Sequence, residues 1–421
     1  MRCRDNRKVQ TGPENSGKVE RLNLREHAGG LYVGAQVVGI LGLVAAVLLG
    51  YFAGDDFRTF FHSYLIGFMF FLAIALGGLF FVLLQHATKA GWSVNIRRIA
   101  EWYASSLPLM AALSVPILAA VLMGRGALYP WAVDGWSVDR GFKGWWLSRG
   151  FFTGRAIFNF AVWSVIGVWY WNQSVKQDES GDVAITLRMQ YRAPVCIILF
   201  GLTLTCMAWD WLMSLDPIWY STIFGVYYFA GCALAIFSTL ILSVRFLQSR
   251  GLLLESVTTE HFHDLGKFLF AFTFFWGYIA FSQFMLQWYG NIPDETGWFM
   301  RHGASTAAPN GFSPVLIILL FGHLLVPFAG LLSRHVKRSR GGLAFWAVWM
   351  LVFCWFDMFW LIAPQYDGQL HLGPLYLAEH LSVLLGIGGI FVAFVVRRAS
   401  HDSVRAMRDP RLADSLAFEN F

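Results

Sequence analysis

Charge is scarce in this 421-residue chain: Asp, Glu, Lys and Arg make up 14% of it, against about 25% in soluble domains. With 57% hydrophobic residues, a soluble fold of this length cannot hide its apolar surface. A soluble enzyme, a secreted disulfide scaffold and a disordered protein are therefore excluded. Cysteine is sparse too: Cys3, Cys196, Cys206, Cys232 and Cys354 show no Cys-x-x-Cys spacing. An iron–sulfur cluster or structural zinc needs clustered thiolates, so these are read as small core hydrophobes. There is no glycine-rich phosphate motif. Only His323 lies deep in an apolar run, which argues against the axial histidine pairs of haem b. The polar N-terminus lacks signal-peptide character. The net charge of +6 does not imply nucleic acid, since membrane proteins gather basic residues on cytoplasmic loops.

What is present is a series of ten apolar runs, each near the roughly 20 residues that span a bilayer. They cover Leu31–Phe52, Phe60–Gln85, Trp102–Met123, Phe151–Trp171, Tyr191–Met213, Tyr220–Leu247, Lys267–Tyr289, Pro314–Leu332, Leu343–Leu361 and Leu375–Val396. The expected fold is an all-α integral membrane protein of ten transmembrane helices. Spans 2–5 and 6–9 would form two four-helix bundles flanked by spans 1 and 10. That division rests on span arithmetic, since no sequence repeat is evident. Residues 1–30 and 397–421 form cytoplasmic ends around a membrane domain of residues 31–396.

Orientation follows from the basic residues outside the spans. The N-terminus, the even loops and the C-terminus hold 23 Lys and Arg, counting Arg192 at the start of the fifth span, and the odd loops 6. The positive-inside rule then places both termini in the cytoplasm. The Trp-rich loops Gly124–Gly150 and Gly290–Ser313 face outward. Their Trp131, Trp136, Trp145, Trp146 and Trp298 are candidate anchors for partner subunits.

Polar groups inside the spans carry the chemistry, because a titratable group in hydrocarbon is costly. His62 opens the second span, and Arg155 and Asn159 share a face of the fourth. Asp210 closes the fifth, and Gln283 and Gln287 share a face of the seventh. At about 1.5 Å per residue, His323 lies about 13 Å into the eighth span from outside. Asp357 lies about 21 Å into the ninth from the cytoplasm. Glu379 and His380 open the tenth. All fall in the outer half of the bilayer. Such a cluster suits a quinol head group, whose hydroxyls need acceptors and a base, or an outward proton path. His323 and Asp357, at similar depths on consecutive spans, are expected to face each other. Arg155, Asp210 and Glu379 have a structural alternative as caps or snorkelling groups, and His62 as an interfacial residue. Asp216-Pro217 reads as a turn, and His261, His263 and Asp264 as a polar loop or a proton mouth. Gly77, Gly78, Gly225 and Gly231 read as close helix contacts. The cytoplasmic half offers little: Thr203, Thr205, Ser238 and Thr239, with Gln85 and His86 at its edge.

Two segments carry a family resemblance. One is Ala208–Gly231, containing Asp210-Trp-Leu-Met-Ser-Leu-Asp-Pro-Ile-Trp-Tyr220; the other is the tail Asp409-Pro-Arg-Leu-Ala-Asp-Ser-Leu-Ala-Phe-Glu-Asn-Phe421. With ten spans, they resemble the smaller polysulfide-reductase (NrfD)-type membrane subunits of bacterial alternative complex III. The resemblance implies a cofactor-free subunit of a quinol:electron-acceptor oxidoreductase, with quinone or quinol as the only candidate small molecule. It implies a paralogous NrfD-type membrane subunit beside it, and periplasmic iron–sulfur and multihaem cytochrome c subunits above. In that family a His often stands between Pro217 and Trp219, where this chain has Ile218. The quinol site could then belong to the paralogue, leaving this chain structural or proton-conducting. A cofactor-free anchor and, further off, a secondary transporter are the alternatives. The transporter would need midplane substrate groups and broken helices, whereas these spans read as continuous.

Overall fold

The computed structural model describes residues 23–419 apart from 125, 134, 137–141 and 306–307. Cys3, all the N-terminal basic residues but Arg25, the loop residues Arg125 and Arg140, and Asn420 and Phe421 lie outside the described residues. Among those described there are helices and no strand, and ten helices are long and apolar enough to cross a membrane. They run Ala28–Ala53, Arg58–Ala87, Val94–Leu122, Arg149–Ser180, Val183–Leu215, Phe224–Ser249, Thr259–Gly290, Ser313–Leu332, Arg340–Asp367 and Pro374–His401. The protein is an all-α integral membrane protein.

Spans 2–5 close a ring, the second on the third, third on fourth, fourth on fifth and fifth on second; spans 6–9 close another in the same order. The opening helices of the rings, the second and sixth spans, pack on each other at the centre and are the most deeply buried. The tenth span leans on the second, and the first is held mainly by the tenth. Small residues make that last contact close. A Cβ added at Gly389 would lie 2.4 Å from the Gly39 nitrogen, and one at Gly42 2.6 Å from that of Gly386. This is the small-residue packing of membrane helices. Gly77 and Gly225 likewise bring helices together, against Cys232 and Thr205, and Gly78 does so against Tyr103. Gly231 does not: a Cβ there meets nothing within 4 Å.

Several expectations are corrected. The loop between Trp171 and Tyr191 is helical, with only Gly181 and Asp182 between the fourth and fifth spans. Gly181 takes the left-handed conformation that ends the fourth. The N-terminal segment turns helical already at Arg25. The spans are not all continuous. The third is three helical pieces, Val94–Ala104, Leu107–Leu113 and Val115–Leu122, with Pro108 and Pro116 opening the second and third. Ser105, Ser106 and Ser114 donate their hydroxyls to Trp102, Tyr103 and Ala111 carbonyls around the breaks, as backbone in hydrocarbon requires. The eighth span carries a π-helical turn, Leu320–Leu325, ahead of Pro327. His261 is not a loop residue but completes the capping box at Thr258 that starts the seventh helix.

A repeat is visible once one ring is laid over the other. Asp210 and Asp357 each sit at the outer end of the last helix of their ring, and Pro217 and Pro364 each follow seven residues later. Trp219 and Tyr366 come two residues after those prolines. The Trp131 indole donates to the Ser214 carbonyl, while a His302 ring nitrogen meets the Leu361 carbonyl. Ser214 and Leu361 are each four residues past the aspartate.

Candidate functional site

Ten spans put both ends of the chain on one side, and the ten residues singled out above lie toward the opposite face, called here the outer face. They do not form one cluster. They fall into three groups.

The first joins Arg155 to Asp210. The guanidinium forks onto the carboxylate, Nε to Oδ2 at 2.8 Å and Nη2 to Oδ1 at 2.8 Å. Trp146 adds its indole N–H to Oδ1 at 2.9 Å and its ring under the Arg155 guanidinium at 4.0 Å. Such a bidentate, charge-assisted pair is among the stronger side-chain interactions, and it satisfies both carboxylate oxygens. Asn159 is buried nearby on the same helix, its Nδ2 without a hydrogen-bond partner. Gln283 and Gln287 brace the loop after the fifth span, accepting from Ser221 at 3.1 Å and Trp219 at 3.0 Å. Asp216 accepts from the Ile218 and Trp219 amides and pairs with Arg301, so the turn reading holds.

The second group contains His323 and Asp357, which do not bond to each other. Asp357 accepts from Tyr227 at 2.5 Å and from the Trp276 indole at 3.2 Å. His323 stacks on that same indole at 4.0 Å and points Nε2 at the Cys354 sulfur 3.9 Å away. Its Nδ1 has no hydrogen-bond partner among the described residues. The expected His–Asp hydrogen bond is therefore replaced by an indole touching both. The reason is Trp276, one helix away on the seventh span, which depth arithmetic along the eighth and ninth spans could not reveal.

The third group is His62, Glu379 and His380, all buried. His62 Nδ1 meets the Arg58 carbonyl at 2.9 Å. His62 Nε2, both Glu379 oxygens and both His380 nitrogens have no hydrogen-bond partner among the described residues. Buried polar atoms are almost always satisfied, and an ionised carboxylate at such a place costs several kcal/mol. Beside them lies a pocket of about 230 Å³ lined by Asp55, Thr59, His371, Tyr366 and Tyr376 among others. The edges of Tyr366 and Tyr376 meet His62 at 5.3 Å and His380 at 4.8 Å, so two tyrosines stand between pocket and histidines. Asp55 takes hydrogen bonds from the Thr59 amide and hydroxyl and from Tyr366. Burial acts to raise its carboxyl pKa, but those bonds win and hold it below the ordinary value. Asp55, Tyr366 and Tyr376 went unseen in the sequence. The signal available was Asp55-Asp56 between two apolar runs, where Asp56 and Phe57 turn the chain at positive φ.

The half of the molecule near the termini is richer than expected. Arg97, Arg98 and Glu101 at the start of the third span are fully buried. Arg97 pairs with Asp409 at 2.6 Å and Glu101 at 3.3 Å; Arg98 pairs with Glu101 at 3.2 Å and Asp178 at 2.7 Å. His86 lies in the same region, buried, with neither ring nitrogen hydrogen-bonded. The expectation that this half offers little beyond hydroxyls, with Gln85 and His86 at its edge, is corrected: charges that neutralise one another are also held inside the bundle. The tail is part of it: Ser415 donates to the Trp92 carbonyl and Asp402 accepts from Trp102 and Trp171.

Among the outward tryptophans, Trp131 and Trp298 are buried inside the chain and cannot anchor a partner. Trp145 is exposed.

The sequence matches no family model and no curated protein.

Proposed function

We propose that this chain is an NrfD-type integral-membrane subunit of a quinol-oxidising respiratory complex of the alternative complex III kind, with both termini cytoplasmic. The observation that carries the reading is the His62–Glu379–His380 group, five of whose polar atoms lack a hydrogen-bond partner among the described residues, behind a pocket on the outer side. A quinol gives up two protons and two electrons on oxidation. The imidazoles and the carboxylate are acceptors for its hydroxyl protons, and Tyr366 and Tyr376 supply ring edges for an aromatic head group. The electrons would pass to peripheral iron–sulfur and cytochrome c subunits on the outer face, since this chain offers no metal-ligand cluster of its own among the described residues. The buried charges around Arg97, Glu101 and His86 support a proton path from the other side.

The test uses the assembled complex. Glu379→Gln and His380→Leu should each lower quinol oxidation per assembled complex at least tenfold and reduce bound quinone. Full turnover in both variants would sink the quinol-site reading. It would favour the anchor reading, for which exposed Ile218 and Tyr220 on the outer loop speak. A reporter fused to the C-terminus tests the orientation, and a periplasmic signal would overturn it.

A further inference from the structure

A second cavity lies elsewhere, in the half of the molecule that carries the termini. It is an apolar groove of about 640 Å³ between the first, second, third, sixth, ninth and tenth spans, open on one side. Its walls include Gly30, Gly34, Phe71, Tyr103, Phe246 and Val395.

The few polar atoms on its walls are already satisfied. The Ser243 hydroxyl donates to the Thr239 carbonyl at 2.7 Å, so the Tyr103 hydroxyl donates to Ser243 at 2.8 Å. Thr239 donates to the Ala235 carbonyl and the Trp102 indole to Asp402. Among the described residues no side-chain donor on the walls is left over, so a polar head group finds nothing to recognise there and water has no set of partners to hold it. A gap at this depth forfeits dispersion contacts along its walls, and a hydrocarbon chain restores them.

The rim is basic. The Arg250 guanidinium lies over the Phe246 ring at 5.3 Å. Arg25, Arg245 and Arg397 are chain neighbours of the lining residues Leu24, Phe246 and Val396, and all three are exposed. Against them stand Glu26 in the first turn of the first helix and Glu255 in the loop after the sixth span. Basic rims between membrane helices attract anionic lipid head groups.

We propose that this groove is a lipid site, holding one acyl chain of an anionic phospholipid whose head group rests at Arg250 and its neighbours. The site is independent of the quinol reading, since none of the residues of the outer pocket line it.

The glycines provide the test. A Cβ added at Gly30 or Gly34 meets nothing within 4 Å, so leucine there fills the groove instead of clashing, and leucine is the better helix former. The full chain is purified from vesicles of equal phosphatidylglycerol and phosphatidylethanolamine, then weighed by native mass spectrometry. Wild type should retain one phosphatidylglycerol. The Gly30→Leu, Gly34→Leu double variant should retain at least fivefold less. Arg250→Gln should keep one phospholipid but lose most of the preference for phosphatidylglycerol. Gly201→Leu, equally unobstructed on the fifth span, should behave as wild type. Undiminished retention in the double variant, equal loss in Gly201→Leu, an unchanged head-group preference in Arg250→Gln, or recovery of a quinone or a second chain in place of phospholipid would each overturn the proposal.

Discussion

His323 lies flat on the Trp276 indole, ring centres 4.0 Å apart, and that indole's N–H is given to Asp357 at 3.2 Å. A single aromatic side chain from the seventh span thus serves the two most deeply placed titratable residues of the eighth and ninth. Trp276→Phe keeps a ring for the imidazole and removes the donor from the carboxylate. A buried acceptor stripped of one of two donors costs about 1–3 kcal/mol. Thermal denaturation of the purified chain should show that loss, and Trp276→Leu should cost more because the stack goes as well. A Trp276→Phe protein as stable as wild type would show that the indole–carboxylate bond contributes nothing.

Arg155 and Asp210 make a different argument, about shape rather than charge. Lysine in place of Arg155 keeps the positive charge but cannot reach both carboxylate oxygens with a planar fork. Arg155→Lys should lower stability by about 1–3 kcal/mol. Arg155→Leu should cost about 3–5 kcal/mol, since it leaves Asp210 buried with only Trp146. If Arg155→Lys unfolds at the same temperature as wild type, the fork geometry has no value beyond its charge.

The number of spans was readable because hydropathy needs only local sequence, and each helix supplies its own apolar length. The start of the third span was not. Arg97, Arg98 and Glu101 look like loop residues until Asp178 and Asp409, far along the chain, are seen joining Glu101 in neutralising the two arginines. The candidate site was legible as a list of residues toward one face and illegible as contacts. Arg155 and Asp210 turned out to be partners. His323 and Asp357 turned out to share Trp276, which the sequence offered only as one of 19 tryptophans. His62 and the Glu379–His380 pair meet because the tenth span packs on the second, a pairing that loop lengths do not specify.

Two glycines on the same scale of hydropathy should respond oppositely to one methyl group. At Gly77 a Cβ would lie 2.3 Å from the Cys232 carbonyl and 2.7 Å from the Ile236 Cβ, so Gly77→Ala must push the second span off the sixth. Overpacking of this kind costs about 1–3 kcal/mol or more. At Gly231 the methyl meets open space, and Gly231→Ala should be neutral or gain roughly 0.5–1 kcal/mol from helix propensity. Yields of folded protein and melting temperatures of the two variants decide. Equal behaviour would mean that the second and sixth spans are not held at the distance described.

The tail should make stability depend on pH through Asp409. Burial acts to raise this carboxyl, but the Arg97 charge and hydrogen bond, with the Arg411 amide, overcome it and hold the pKa below 3.8. A carboxylate whose pKa is depressed on folding stabilises the fold at every pH above its unfolded value, about 3.9. That contribution is lost as pH falls through the lower, folded value. At neutral pH, Asp409→Asn removes one charge from a buried pair, where such losses run to about 3–5 kcal/mol. Glu101 still faces Arg97, so the loss belongs at the lower end of that range. On acidification below about pH 4, wild type should lose this advantage, while the amide of the Asp409→Asn variant does not titrate and keeps what it has. The gap in melting temperature between the two proteins should therefore be widest near pH 7 and close toward pH 3. A gap that stays constant over that range would mean that Asp409 is not ionised against Arg97. A gap of zero throughout would mean that Asp409 contributes nothing to holding the third span.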